Sequence, residues 1–233
     1  MTYLLSEYVR SAGPSGVGVK GTNGTFYIEG TKERVIIDAP GNPEEFAKMS
    51  VFRIEPIQTF EAALSKVSIA PADVDILIIT HLHHDHWFSA KKCTNAKIIV
   101  QKDELDFAHS PHPIMAAMYD NPPDHRLDDL DFETVRGDKE IVSGVKVTQT
   151  PGHTPGTQSV LIESDKGPII LAGWCSIQEN FEPPEPIRAR MPVIPPGIHV
   201  NAAQAYDSAL RIKQTAKRVV AIHEPNTPPR IPE

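Results

Sequence analysis

Short runs of branched apolar residues, separated by turns, recur along the whole chain. The clearest covers residues 74–79, VDILII, in which only Asp75 is polar. A short β-branched run of this kind predicts a strand that is buried on both faces. Similar runs predict further strands at 24–29, 34–38, 97–101, 141–142, 145–149, 159–162, 168–173 and 218–222.

Apolar residues spaced three to four apart predict a few helices between these strands. They fall at 55–70, 102–109 and 202–217, and a further helix is expected to begin near Asp85. Strands that alternate with helices are typical of a layered α/β fold. At 233 residues the chain is expected to form a single domain, 1–233, with an irregular, proline-containing insertion around 109–130.

Four side chains that can bind a metal follow the 74–79 strand within six residues. They are His81, His83, Asp85 and His86. On extended backbone His81 and His83 point to the same side, and a turn can bring the next two towards the same centre. Two histidines alone would equally fit a solvated loop. The full HxHxDH pattern directly after a buried strand favours a site for a divalent ion such as zinc.

Two more histidines lie at positions that suit the same site. His153 is held between proline and glycine residues in the turn TPGHTPGTQS, residues 150–159, and His223 directly follows the predicted strand at 218–222. A histidine in a turn is more often structural, but in a chain that already contains HxHxDH we predict that it is a further ligand. Sites in layered α/β folds gather where strands end, which places all these residues at one edge.

Composition narrows the class of protein. The chain is 40% hydrophobic, and its net charge of −7 argues against non-specific nucleic-acid binding. The proline and apolar content of 110–130 and 181–198 favours a small-molecule substrate. No apolar run approaches the roughly eighteen residues of a membrane span, and the start has no signal-peptide pattern. Two cysteines are too few for a disulfide framework, so we expect a cytoplasmic protein. Proline-rich loops are candidates for contacts in a homodimer.

Together the motifs resemble those of a known family. THLHHDH (80–86), TPGHTPGTQS (150–159), a glycine-ended strand at 169–173 and the strand-end His223 resemble the metallo-β-lactamase superfamily, and within it the N-acyl homoserine lactonases. The resemblance implies an αββα sandwich, in which two mixed β-sheets are flanked by helices and two zinc ions usually lie at one edge. It implies that the first metal is held by His81, His83 and His153, and the second by Asp85, His86 and His223.

The chain departs from this family pattern at two positions. The family usually places a metal-bridging Asp after the strand glycine, but here Trp174 and Cys175 follow Gly173. An indole cannot bind a metal, whereas a thiolate can, so Cys175 is predicted to be a ligand of the second metal. The alternative is a small buried cysteine and a weak or absent second metal. The lactonases also carry a tyrosine where this chain has Ile177. Tyr119 could reach the site from another direction, but a surface or packed tyrosine is expected.

The resemblance implies a metal-dependent hydrolase. A metal-bound hydroxide would attack the carbonyl of a small lactone, ester or cyclic amide, with Asp85 orienting it or receiving the proton. One or two Zn²⁺ per chain are expected, and iron or manganese would fit the same ligands. The alternatives are a glutathione thioesterase or an iron-dependent sulfur dioxygenase of the same fold, or a member that binds without turnover. Residues 110–130 and 181–198 would line the substrate pocket.

Overall fold

The computed structural model describes residues 2–12, 19–49 and 53–231, and within them the chain forms thirteen strands and seven α-helices. The strands are β1 (Thr2–Ala12), β2 (Val19–Ile28), β3 (Val35–Ile37), β4 (Arg53–Pro56), β5 (Ile76–Ile78), β6 (Lys97–Gln101), β7 (Phe132–Val135), β8 (Lys139–Val142), β9 (Val145–Gln149), β10 (Gln158–Ile162), β11 (Ile169–Ala172), β12 (Arg218–Ala221) and β13 (Arg230–Ile231). The helices are α1 (Pro43–Met49), α2 (Phe60–Ser65), α3 (Lys102–His109), α4 (Ala116–Tyr119), α5 (Gln178–Phe181), α6 (Glu185–Arg188) and α7 (Ala202–Thr215). None of the helices in these ranges has the length and apolarity needed to cross a membrane. The predicted domain span 1–233 also includes residues 1, 13–18, 50–52 and 232–233, which lie outside the described part.

The described strands form two mixed sheets. The larger runs β13-β1-β2-β3-β5-β6-β7, with β4 paired to β1, and the smaller runs β12-β11-β10-β9-β8. In the larger sheet β3, β5, β6 and β7 are parallel to one another, whereas β1, β2 and β3 pair antiparallel. In the smaller sheet only β11 and β12 are parallel. Strand β5 therefore lies inside the larger sheet, with a parallel neighbour on each side.

The central strand supplies apolar side chains to two different cores. Ile76 and Ile78 pack between the sheets with residues such as Leu171, while Leu77 lies on the opposite face under the helices with Leu64. Because alternate residues of a strand point to opposite faces, a strand between two apolar layers must be apolar throughout. A third core packs the outer face of the smaller sheet against α5 and α7. The layers are helix, sheet, sheet and helix, so the predicted αββα fold is confirmed.

Most predicted elements are present, but the helix expected near Asp85 is wrong. The chain forms turns there, since His86 N–H donates to the His83 carbonyl at 3.0 Å, a three-residue spacing. The neighbouring backbone groups bond to another segment instead of continuing a helix. Ala39 N–H donates to the His86 carbonyl at 2.7 Å, and Ser89 N–H donates to the Ala39 carbonyl at 2.9 Å. Tertiary hydrogen bonds therefore override the local pattern.

Candidate metal centre

Six of the seven predicted ligands come together at one edge of the sandwich. They lie in the segments that follow strands β5, β9 and β12. His81 and His83 follow β5, and Asp85 and His86 lie in the turns after them. His153 lies in the turn between β9 and β10, and His223 follows β12. The six side chains form two groups, His81 with His83 and His153, and Asp85 with His86 and His223.

The first group consists of three buried imidazoles. The potential ligand atoms of the group all lie within 4.8 Å of one another. Nε2 of His81 is 3.1 Å from Nδ1 of His83 and 3.1 Å from Nε2 of His153. Three nitrogen atoms therefore converge from two sheets on one point.

The second group adds a carboxylate and lies directly beside the first. Nε2 of His86 is 3.6 Å from Oδ1 of Asp85, and the His86 and His223 rings are 5.2 Å apart. The ring centroids of His81 and His86 are only 4.1 Å apart, so the two groups adjoin. All three residues of the second group are buried. Two neighbouring three-residue sites, one neutral and one with a single carboxylate, therefore share this edge.

The hydrogen bonds behind the histidines set their tautomers. Four of the five rings donate Nδ1–H outward to an oxygen that can only accept. The pairs are His81 to Gly173 O at 2.9 Å, His153 to Ile198 O at 2.7 Å, His223 to Thr22 O at 2.7 Å, and His86 to Asp38 Oδ2 at 2.8 Å. A neutral imidazole that donates from Nδ1 carries its lone pair on Nε2. When both rings are neutral, the Nε2 atoms of His81 and His153, which are 3.1 Å apart, therefore point lone pairs at each other.

This arrangement fits a bound cation. Burial is the largest effect on the pKa of both His81 and His83, and together with neighbouring imidazoles it lowers both pKa values well below the ordinary histidine value. Both rings are therefore neutral at pH 7. Facing lone pairs on buried neutral imidazoles repel one another unless a positive ion lies between them, and hydrogen-bonded imidazoles are the ligands that zinc prefers.

Asp38 is a supporting residue to which the sequence analysis assigned no role. Its Oδ1 accepts from Thr80 N–H at 2.8 Å, and its Oδ2 accepts from Thr80 Oγ1 at 2.9 Å and from His86 Nδ1 at 2.8 Å. Asp38 is buried and has a φ of +59°, a left-handed conformation that aspartate tolerates better than most residues. The available signal was a carboxylate at the end of the predicted strand 34–38. Asp38 orients His86 and anchors the start of the HxHxDH segment.

Asn23 supports Asp85 in a similar way. Its Nδ2 donates to Asp85 Oδ2 at 2.8 Å, from a buried position in β2. With Oδ2 engaged, Asp85 presents Oδ1 towards His86. No pattern in the sequence distinguishes this asparagine from an ordinary strand residue.

Gly173 and the two residues that follow it, Trp174 and Cys175, have different surroundings. A Cβ on Gly173 would lie 1.8 Å from the Gln158 carbonyl oxygen, so only glycine fits where β11 meets β10. Trp174 is buried in the apolar core outside the smaller sheet, with its ring 5.6 Å from Phe181. Cys175 is partly exposed and belongs to neither ligand group. Among the described residues, no carboxylate is shared by the two groups.

Tyr119 and three further histidines lie outside both groups. Tyr119 is buried and packed, as expected, and its ring contacts His83 edge to face at 4.9 Å. His109 and His112 are exposed, and His125 stacks on Phe88 at 4.0 Å.

Comparison with known proteins places the chain in a family. Residues 19–220 match the metallo-beta-lactamase superfamily, and the chain belongs to that superfamily. It is 39% identical over 122 residues to an N-acyl homoserine lactonase of a Bacillus species, an alignment that covers 51% of this chain and 46% of the relative. The chain thus spans about half the length of the curated relatives it matches first.

Solved structures agree on the fold. A crystal structure of a B. thuringiensis AiiA variant with N-decanoyl-L-homoserine at its active site superposes with a TM-score of 0.75 at 23% identity, covering 96% of this chain and 93% of that one. AidC, a dizinc quorum-quenching lactonase in complex with the product N-hexanoyl-L-homoserine, superposes with a TM-score of 0.62 at 18% identity, covering 90% and 75%. At these identities the likeness establishes the architecture.

Proposed function

We propose that this chain is a metal-dependent hydrolase that opens the ring of N-acyl homoserine lactones or closely related small lactones. The observation that carries the proposal is the convergence of three buried imidazoles beside a carboxylate-containing group, at one edge of an αββα sandwich. The relatives named as N-acyl homoserine lactonases supply the substrate class.

Imidazoles and a carboxylate suit a divalent metal ion. We propose Zn²⁺, one or two per chain, held by His81, His83 and His153 in the first group and by the three residues of the second. Iron or manganese would be accepted by the same atoms. When bound, such a metal lowers the pKa of water towards 7 and polarises a carbonyl oxygen.

The protein's own groups supply orientation and a proton acceptor. Asn23 holds Oδ2 of Asp85 and so fixes the carboxylate, which would orient the nucleophile or receive its proton during attack on the carbonyl. Asp38 keeps the proton of His86 on Nδ1, so Nε2 stays an acceptor throughout. Burial of all these side chains keeps bulk water away and strengthens each electrostatic contact.

The two segments predicted to line the substrate pocket both touch the first group. The carbonyl of Ile198 accepts from His153, and the ring of Tyr119 lies on His83. The side chains of Ile198 and Val200 are each 37% exposed beside this contact. An apolar surface next to a polar centre suits a lactone that carries an acyl chain.

Turnover of N-hexanoyl-homoserine lactone tests the proposal directly. Ring opening releases a proton, so we expect acidification of a weakly buffered pH-indicator solution by the purified protein. The signal should disappear after chelation and return when Zn²⁺ is restored. A protein that retains its metal but opens none of a panel of N-acyl homoserine lactones would contradict the substrate class.

The role of Cys175 stays a prediction, and metal stoichiometry tests it. If the thiolate binds the second metal, Cys175→Ser should reduce the metal content towards one per chain while the three histidines of the first group keep theirs. Plasma emission spectrometry on protein purified without added metal measures the change. Equal metal content in the variant and the wild type would remove Cys175 from the ligand set.

Metal content, combined with oxygen consumption, also tests the sulfur dioxygenase alternative. A chain purified with iron, together with oxygen consumption in the presence of a thiol substrate, would favour the sulfur dioxygenase. The cytoplasmic location and contacts in a homodimer stay predictions.

A further inference from the structure

A buried carboxylate lies behind the first ligand group without belonging to it. Glu104, in the first turn of α3, is fully buried. Its Oε1 accepts from Leu82 N–H at 2.8 Å and from the Tyr119 hydroxyl at 2.7 Å. Its Oε2 accepts a hydrogen bond from the Thr154 hydroxyl. Three donors therefore meet on one side chain.

Two of these donors are immediate neighbours of ligands in the chain. Leu82 lies between His81 and His83, and Thr154 directly follows His153. The two segments are far apart in sequence and belong to different sheets. One carboxylate therefore joins the backbone of the HxH segment to the turn that carries the third histidine.

The third donor supports a ligand ring from the outside. Tyr119 contacts His83 edge to face, with ring centroids 4.9 Å apart, and packs on Phe107 at 5.6 Å. Its hydroxyl is held by Glu104, so the angle of the ring depends on that hydrogen bond. Glu104 thus also sets the surface against which His83 rests.

The turn around His153 is shaped to receive this carboxylate. A Cβ on Gly156 would lie 2.0 Å from the Glu104 backbone nitrogen, so the turn can approach α3 only with glycine there. The hydroxyl oxygen of Thr157 accepts from the Thr154 N–H at 3.1 Å, and the two hydroxyl groups are hydrogen-bonded at 2.7 Å. These bonds hold the Thr154 side chain towards Glu104. Burial raises the pKa of Glu104. Burying a carboxylate is costly unless it is fully hydrogen-bonded, and an apolar residue would have filled the same space.

We propose that Glu104 is a positioning residue for the metal centre, holding His153 in register with His81 and His83. The inference rests on the proposed metal site. It predicts that changing Glu104 weakens metal binding more than it weakens the fold, because the three nitrogen atoms would no longer be held at one point.

The test is the metal affinity of Glu104→Gln in the full chain. Glutamine has nearly the same shape, but the NH2 group that replaces Oε2 cannot accept from the Thr154 hydroxyl, so the hydrogen bond to the His153 turn is lost. We expect Co²⁺ and Zn²⁺ affinity, measured by competition with a chromophoric chelator, to fall by about tenfold or more. The absorption spectrum of bound Co²⁺ should also change, since it reports the geometry of its ligands.

Asp106→Asn is the matched control. It makes the same chemical change two residues further along α3, on an exposed side chain paired with Lys102. Its metal affinity and Co²⁺ spectrum should equal those of the wild type. The unfolding temperature of each metal-free protein gives the effect on the fold alone.

Three outcomes would overturn parts of the account. If Glu104→Gln binds metal as tightly as the wild type and only unfolds at a lower temperature, Glu104 is structural and the inference is wrong. If the wild type itself binds no metal, the metal centre is wrong, and the role of Glu104 with it. Should Glu104→Gln not fold, Thr154→Val replaces it: loss of affinity there, with recovery in Thr154→Ser, supports the inference, and unchanged affinity in Thr154→Val overturns it.

Discussion

Replacing His83 with alanine should reduce lactone hydrolysis to the uncatalysed rate, a loss of about 10⁶-fold or more. His83 contributes Nδ1, 3.1 Å from Nε2 of His81, and without it the first group keeps two nitrogen ligands. Two ligands do not hold zinc in the three-ligand arrangement of a catalytic site. The metal content of the purified variant should fall together with kcat/KM.

A matched control is His109→Ala, which removes an imidazole that is exposed, lies outside both groups and precedes the segment 110–130. Its activity and metal content should equal those of the wild type. Circular dichroism of His83→Ala should show native secondary structure, since the ring lies at the edge of the sheets and not between them. A His83→Ala protein that turns over lactone normally would end the metal-hydrolase account.

Replacing Gly152 with alanine should destabilise the fold by about 3–5 kcal/mol. Gly152 has a φ of +129°, which an L side chain rarely adopts. A Cβ there would also lie 2.1 Å from the Ala205 backbone nitrogen and 2.4 Å from its Cα, so helix α7 would have to move. Because the strain and the clash add, the midpoint of denaturant-induced unfolding should shift strongly.

Gly30→Ala separates the two causes. Gly30 has a φ of +100° in the turn between β2 and β3, and a Cβ there would meet nothing within 4 Å. Only backbone strain applies, so we expect a cost of about 1–2 kcal/mol. If both variants unfold at the same denaturant concentration, the close approach of Gly152 to α7 contributes nothing.

The fold was largely predictable because strands that are buried on both faces consist of continuous apolar residues, and such runs can be recognised in the sequence. Ile76 and Ile78 face one core and Leu77 faces another, so the run at 74–79 is apolar without alternation. The prediction of a helix near Asp85 was wrong because the structure there depends on a residue that is distant in the sequence. Its backbone groups are engaged by Ala39, a residue more than forty positions away, and no local pattern reports such a partner.

The candidate site also contains residues that could be predicted from the sequence and residues that could not. The side chains of His81, His83, Asp85 and His86 lie within six residues, so their chemistry could be recognised from spacing alone. Residues that orient them, such as Glu104, carry no comparable signal. Each is an ordinary polar residue in sequence and acquires a role only from its burial and its hydrogen-bond partners.

By itself the sequence determined the types of side chain available for a metal centre and the buried strands that precede them, because both depend on residues close together in the chain. The tertiary structure alone decided how those side chains meet. His153 reaches His81 across 72 positions, and the carbonyl that orients His81 comes from Gly173, 92 positions away. Such contacts form only when the two sheets pack face to face. Tautomers, ligand grouping and the Glu104 junction are therefore properties of the folded chain.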